Sequence, residues 1–180
     1  SGGYGGNQLR PDRPSHLSAW SKVWLGFRSP RRVSLEGVYS LAPVELGGEI
    51  LRIDTPDSTE YFLVEYRASV GFDDSLPGDG ILIWHVDDAT VSAGLFGNTV
   101  NADEAHYGVG LAQADGDFEL EEGRNRGDRG DPFPGLFGTM NPNYRFAEGT
   151  VPSSSCFSGP SGVEIEILEI TSEEALLLVT

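Results

Sequence analysis

Three histidines, His16, His85 and His106, one cysteine, Cys156, and a large set of carboxylates are the side chains here that could do chemistry. A hydrolytic zinc site places two histidines at i and i+4 on a helix, so that both imidazoles reach one metal and a neighbouring glutamate serves as base. Neither His-Glu-x-x-His nor its inverse occurs in this sequence. The plain reading of the histidines is structural: His16 in a helix first turn, His85 hydrogen-bonded within a strand, His106 in a loop. A serine nucleophile has no Gly-x-Ser-x-Gly elbow here. A nucleophilic Cys156 needs a paired histidine, to which nothing in the sequence points.

The carboxylates give the strongest local pattern. Asp115-Gly116-Asp117-Phe118-Glu119 is followed by Asn125-Arg126-Gly127-Asp128-Arg129-Gly130-Asp131. Alternating Asp and Asn separated by glycines can turn several oxygens inward around a hard cation. Asp115, Asp117, Asn125, Asp128 and Asp131 are therefore candidate calcium ligands. The spacing is not that of an EF-hand. The competing reading is an acidic surface loop of Asx-turns in which Arg124, Arg126 and Arg129 pair with the carboxylates. Glu65 and Arg67 stand two apart and share a strand face, which suggests a partly buried polar network with His85 on a neighbouring strand.

The elements that must position these residues follow from periodicity. Leu17, Trp20, Val23, Trp24 and Phe27 repeat at helical spacing after Ser15, a candidate cap, and Gly26 and Pro30 end the run. From residue 37 the period becomes two. Gly37–Ala42, Glu49–Asp54 and Glu60–Arg67 read as strands, with Tyr61, Leu63 and Glu65 on one face and Phe62, Val64 and Tyr66 on the other. Ile81–Val86 is almost continuously apolar, as expected of a central strand covered on both faces. Residues 88–160 read mostly as loop, which in a compact domain implies function, an ion or a docking partner. Val163–Ile170 and Ala175–Val179 read as a terminal hairpin. The expected fold is α+β: an N-terminal helix, then a mixed, mostly antiparallel sheet with long loops and a C-terminal β-hairpin.

The 180 residues suffice for a single domain over 1–180. The net charge of −16 repels phosphate backbones and anionic lipid, so neither nucleic acid nor a membrane is an expected partner. The sequence holds no apolar run long enough to span a bilayer. One cysteine permits no internal disulfide.

Five blocks, in order along the chain, resemble the immune-inhibitor-A (M6) family of secreted bacterial zinc metalloproteases. Pro14–Phe27 resembles the helix that follows the family's active site. Glu60–Arg67 is similar to one of its strands, with Tyr66 where the family usually has Asn. Gly71–Asp73, Leu76–Gly78 and Gly80–Asp87 resemble the turn and strand that come next. His106–Val109 with Gln113–Gly116, and Gly127–Gly135, complete the set. The resemblance implies a metalloendopeptidase, secreted and extracellular, acting on protein or peptide substrates. In the intact parent a zinc ion would activate water and a glutamate would act as base. The family's zinc helix and its methionine turn lie upstream of the blocks matched here, and Met140 stands too far downstream to serve. The resemblance thus makes this chain the C-terminal subdomain of such a catalytic region, expected to be inactive alone, with residues 1–14 a loop following the missing turn. It would supply the cleft wall and a calcium-stabilised loop and would pack on the missing N-terminal part. Tyr4 becomes a candidate cleft residue. A second reading is a non-catalytic, calcium-stabilised β-rich binding module, drawing on aromatics such as Phe96, Phe133 and Phe137.

Overall fold

The computed structural model describes residues 14–135 and 142–180. Its elements are α1 (Ala19–Trp24), β1 (Arg31–Arg32), β2 (Gly37–Leu41), β3 (Leu51–Asp54), β4 (Glu60–Arg67), β5 (Gly80–Asp87), α2 (Asp88–Gly94), β6 (Val109–Leu111), β7 (Arg145–Phe146), β8 (Ile165–Ile170) and β9 (Ala175–Val179). The expected α+β class is what forms, but its strands divide into two sheets. One has the order β1-β3-β4-β5-β6, the other β2-β9-β8-β7. Every pairing is antiparallel except β1 with β3.

β4 and β5 form the axis of the larger sheet. They pair along their whole length, from Glu60 opposite Asp87 to Arg67 opposite Gly80. All eight residues of β4 are buried, because both faces of this sheet are covered. One face carries Phe62, Val64, Ile81 and Ile83, which meet Leu41, Ile165, Ile167 and Leu177 of the smaller sheet in one apolar cluster. Phe146 joins the layers, edge-on to both Phe62 and Phe133. Each such side chain removed from water stabilises by about 1.5–3 kcal/mol. The opposite face carries Tyr61, Leu63 and Val86, packed with Ala19 of α1, Val91 of α2, Val44 and Ile50. The alternation read in β4 therefore holds residue by residue.

The first helix is shorter than its periodicity suggests. It begins after Ser18, whose hydroxyl accepts from the Ser21 amide, and not after Ser15. The preceding turn is pulled straight by groups from elsewhere in the chain. The His16 amide donates to Asp73, and the His16 and Leu17 carbonyls accept from the Arg67 guanidinium. Those backbone groups are then unavailable for a helical turn.

The segment 88–160 contains more structure than expected. α2 follows β5 directly, with Asp87 as its cap accepting from the Ala89 amide at 2.9 Å and the Thr90 hydroxyl at 2.7 Å. Phe133 extends the sheet beside β5 by exchanging two backbone hydrogen bonds with Ile81. Gly80 makes this approach possible, because a Cβ there would lie 2.3 Å from the Phe133 carbonyl oxygen. Phe133 is fully buried, so it is core rather than an exposed aromatic, whereas Phe96 is fully exposed. Phe137 lies outside the described residues. The C-terminal hairpin forms as expected, with Val163, Ile165 and Ile167 inward.

Candidate functional site: a cleft over a buried charge network

Glu65 is buried in the middle of β4, where an isolated anion would be very costly. It is surrounded by donors: the Ala19 amide at 3.0 Å, the Lys22 ammonium at 3.2 Å and the Trp84 indole at 3.1 Å. The Arg67 guanidinium lies 3.5 Å from the same carboxylate. Burial pulls the Lys22 ammonium below its usual range, and Glu65 opposes that shift. Arg67 also reaches Asp73 at 3.4 Å and Glu45 at 3.9 Å.

Three carboxylates thus face two cations. Glu45 resolves the mismatch, because burial and its contact with Asp73 push its carboxyl up to about 7. Glu45 Oε1 and Asp73 Oδ2 accept no hydrogen bond when both are ionised. A proton on Glu45 lets one donate to the other.

Sequence reasoning places Glu65 and Arg67 together, as found, but it also groups them with His85, and the register overturns that grouping. His85 pairs with Phe62 in the register, so alternation turns it to the opposite face of the sheet. Trp84 occupies the position expected of it. Lys22, Glu45 and Asp73 were not anticipated. Their separation in sequence gives no local signal, and Lys22 lies on the side of α1 opposite the stripe of Trp20, Trp24 and Phe27: the buried face is that of Ala19 and Lys22, while Trp24 and Phe27 are exposed.

Above this network lies a cleft of about 640 Å³. Its walls come from the segment before α1, from β4, β5 and β6, and from the loops at 76–78, 101–107 and 120–132. His16, Arg67, Trp84, Tyr107, Glu121 and Asp131 all contribute to it. Burial pushes the Tyr107 phenol up to about 12, so it remains a neutral donor.

The acidic loop forms one end of the cleft. Asp115, Asn125, Asp128 and Asp131 gather around Gly127 and Gly130, joined by Glu119. Asp128 Oδ1 accepts from the Gly130 amide and Asp131 Oδ2 from the Asp128 amide, both at 2.6 Å. Asn125 bridges Glu119 and Asp128. A Cβ on Gly130 would sit 1.9 Å from Asp115 Oδ2, so glycine lets the carboxylates close in. Burial, then the charges of Asp128, Asp115 and Glu119, push the Asp131 carboxyl up to about 6. Asp115 accepts from the Asp117 amide, and the Asp117 carbonyl accepts from Arg124. Arg124 also pairs with Glu119 and Glu122, as the competing reading expected. The gathered carboxylates and amide-derived turns are of the type that hard cations use.

His85 and His106 sit on either side of the Phe157 ring, with ring centroids 4.9 and 4.1 Å away. His85 meets Glu60 at 2.9 Å and His106 meets Asp87 at 2.9 Å. His16 lies instead beside Phe72 and Asp73. The three histidines therefore share no centre. Among the described residues, one group of His, Cys, Asp and Glu brings three ligand atoms within 4.8 Å of one another: Glu60, His85 and Cys156. None of these lines the cleft, so the residues present do not fit a zinc centre there. Tyr4 lies outside the described residues. No described helix is long and apolar enough to cross a membrane. No family model and no curated protein matches the chain.

Proposed function

We propose that this chain is the C-terminal part of the catalytic region of an immune-inhibitor-A-type (M6) secreted metalloendopeptidase, supplying one wall of its substrate cleft. The observation that supports this reading is spatial. Residues from all five resembling blocks line the same cleft: His16, Arg67, Trp84, Tyr107 and Asp131 stand for one block each. Blocks spread over more than a hundred residues converge on one surface, as a shared substrate-binding role requires.

In this reading the zinc ligands and the general base come from the missing N-terminal part. The buried Lys22–Glu65–Arg67 network holds the segment before α1 against the sheet, and so fixes where that part joins the cleft. A calcium ion on the acidic loop would stiffen the cleft's end, which suits a protease exposed to its own activity. Protein or peptide substrates would lie across Trp84 and Tyr107.

Casein hydrolysis tests the reading. The 180-residue chain alone is expected to be inactive, and the chain extended upstream through the zinc helix to be active and sensitive to a zinc chelator. Chelator-sensitive hydrolysis by the short chain, or none by the extended one, contradicts it. The second outcome would favour a non-catalytic calcium-stabilised binding module, for which the gathered carboxylates are the supporting observation.

A further inference from the structure

We propose that Glu60, His85 and Cys156 form a second metal site, apart from the cleft, that takes a borderline-soft divalent cation such as zinc. The three come from the start of β4, the end of β5 and the loop before β8. Their exposures are 4%, 5% and 8%, and their ligand atoms all lie within 4.8 Å of one another. On a common tetrahedral zinc, with bonds of about 2.0–2.3 Å, such atoms stand roughly 3.3–3.8 Å apart. His85 Nε2 and Glu60 Oε2, now 2.9 Å apart, need to open slightly. The thiol lies within 4.8 Å of both, so it needs to close in by at most about an ångström.

The surroundings hold the ligands in place. Glu60 accepts from the amides of Phe157 at 2.8 Å and Ser158 at 3.1 Å, the two residues after the cysteine. Cys156 and Gly159 exchange backbone hydrogen bonds, closing that turn. The Phe157 ring stacks on His85. One tight turn therefore presents the thiol and orients the carboxylate, while its aromatic residue fixes the imidazole. Such outer contacts are what set ligand geometry at metal sites.

The charges also suit a dication. Burial lowers the His85 imidazole and so favours its neutral form; the Nε2 proton that faces Glu60 moves to Nδ1 when Nε2 ligates a metal. The Phe157 and Ser158 hydrogen bonds outweigh burial and keep Glu60 ionised. Burial raises the Cys156 thiol, so metal binding must expel its proton. One carboxylate, one thiolate and one dication then make a neutral buried cluster. A thiolate beside an imidazole and a carboxylate favours zinc over calcium or magnesium, which take oxygen ligands.

The test uses the 180-residue chain, freed of metal by a chelator and titrated with cobalt(II) as a spectroscopic stand-in for zinc. The expected result is one equivalent bound with a thiolate-to-cobalt charge-transfer absorption, bleached by added zinc, with about one proton released per metal. Cys156→Ser should abolish that absorption and weaken zinc binding at least tenfold, and His85→Gln should weaken it similarly. Cobalt bound without the thiolate absorption, as the acidic loop alone would give, overturns the proposal. So does zinc affinity unchanged in Cys156→Ser. The wild-type spectrum decides even if a variant misfolds, and neither result bears on the peptidase reading.

Discussion

The Lys22 ammonium stands 3.2 Å from the Glu65 carboxylate, and the two side chains are only 7% and 0% exposed. This pair links α1 to the central strand of the larger sheet. It also determines where the chain runs alongside the cleft.

Removing one partner leaves the other charged and buried, which typically costs about 3–5 kcal/mol. Lys22→Met should lower stability by that amount in urea unfolding. Lys22→Met combined with Glu65→Gln should cost less than the sum of the two single changes. The Gln carbonyl can still accept from the Ala19 amide and the Trp84 indole without leaving a bare charge. A Lys22→Met cost below about 1 kcal/mol would show that the pair is not desolvated as described.

Glu45 gives a pH dependence of defined sign. Its folded carboxyl is raised from 4.5 to about 7, so the native state holds the proton more tightly than the unfolded chain. The associated stability is complete below pH 4.5 and is lost as pH rises through about 7. The loss is at most roughly 3 kcal/mol and less if Asp73 and Arg67 readjust. Glu45→Gln mimics the protonated form and should remove this slope. Parallel unfolding curves at pH 5 and pH 8 check it, and an unchanged gap between variant and wild type at the two pH values would contradict it.

Calcium should raise the melting temperature, and by more at pH 7 than at pH 5. Asp131 is protonated up to about pH 6 without a cation, and a bound cation must displace that proton. Calcium at a hundred times its Kd contributes about 2.7 kcal/mol. Gly130→Ala pushes a methyl group into Asp115 and should abolish the response. Melting curves with calcium or chelator measure it, and a response retained in Gly130→Ala would place the ion elsewhere.

Asp87 caps α2 and accepts from His106. Asp87→Ala should cost about 1–2 kcal/mol, and Asp87→Asn clearly less, because the amide oxygen can still cap. Equal losses in urea unfolding would mean that the carboxylate charge of Asp87, not the cap, is what matters.

Much of the sheet was legible because its signal is local. Alternation in Glu60–Arg67 and Val163–Ile170 states which face each residue takes, and a continuous apolar run at Ile81–Val86 states that both faces are covered. The same rule shows that His85 and Glu65 could not share a face, once the register pairs His85 with Phe62. Register is set by long-range pairing and is not written in either strand alone. The start of α1 failed for a related reason: Arg67 and Asp73, some fifty residues away, take the backbone groups of His16 and Leu17. Of the candidate site, Glu65, Arg67 and the acidic loop could be read from spacing. Glu45, Asp73, Glu60 and the meeting of His85 with Cys156 could not, because they exist only after the sheets close.

The proposed function requires that the five resembling blocks follow a zinc helix in the same reading frame. The most direct measurement is the nucleotide sequence immediately upstream of the Ser1 codon in the source genome. The expected result is an open frame, continuous with Ser1, that encodes His-Glu-x-x-His followed by a methionine shortly before Gly2-Gly3-Tyr4. An in-frame stop codon there, or an unrelated coding sequence without that motif, would contradict it.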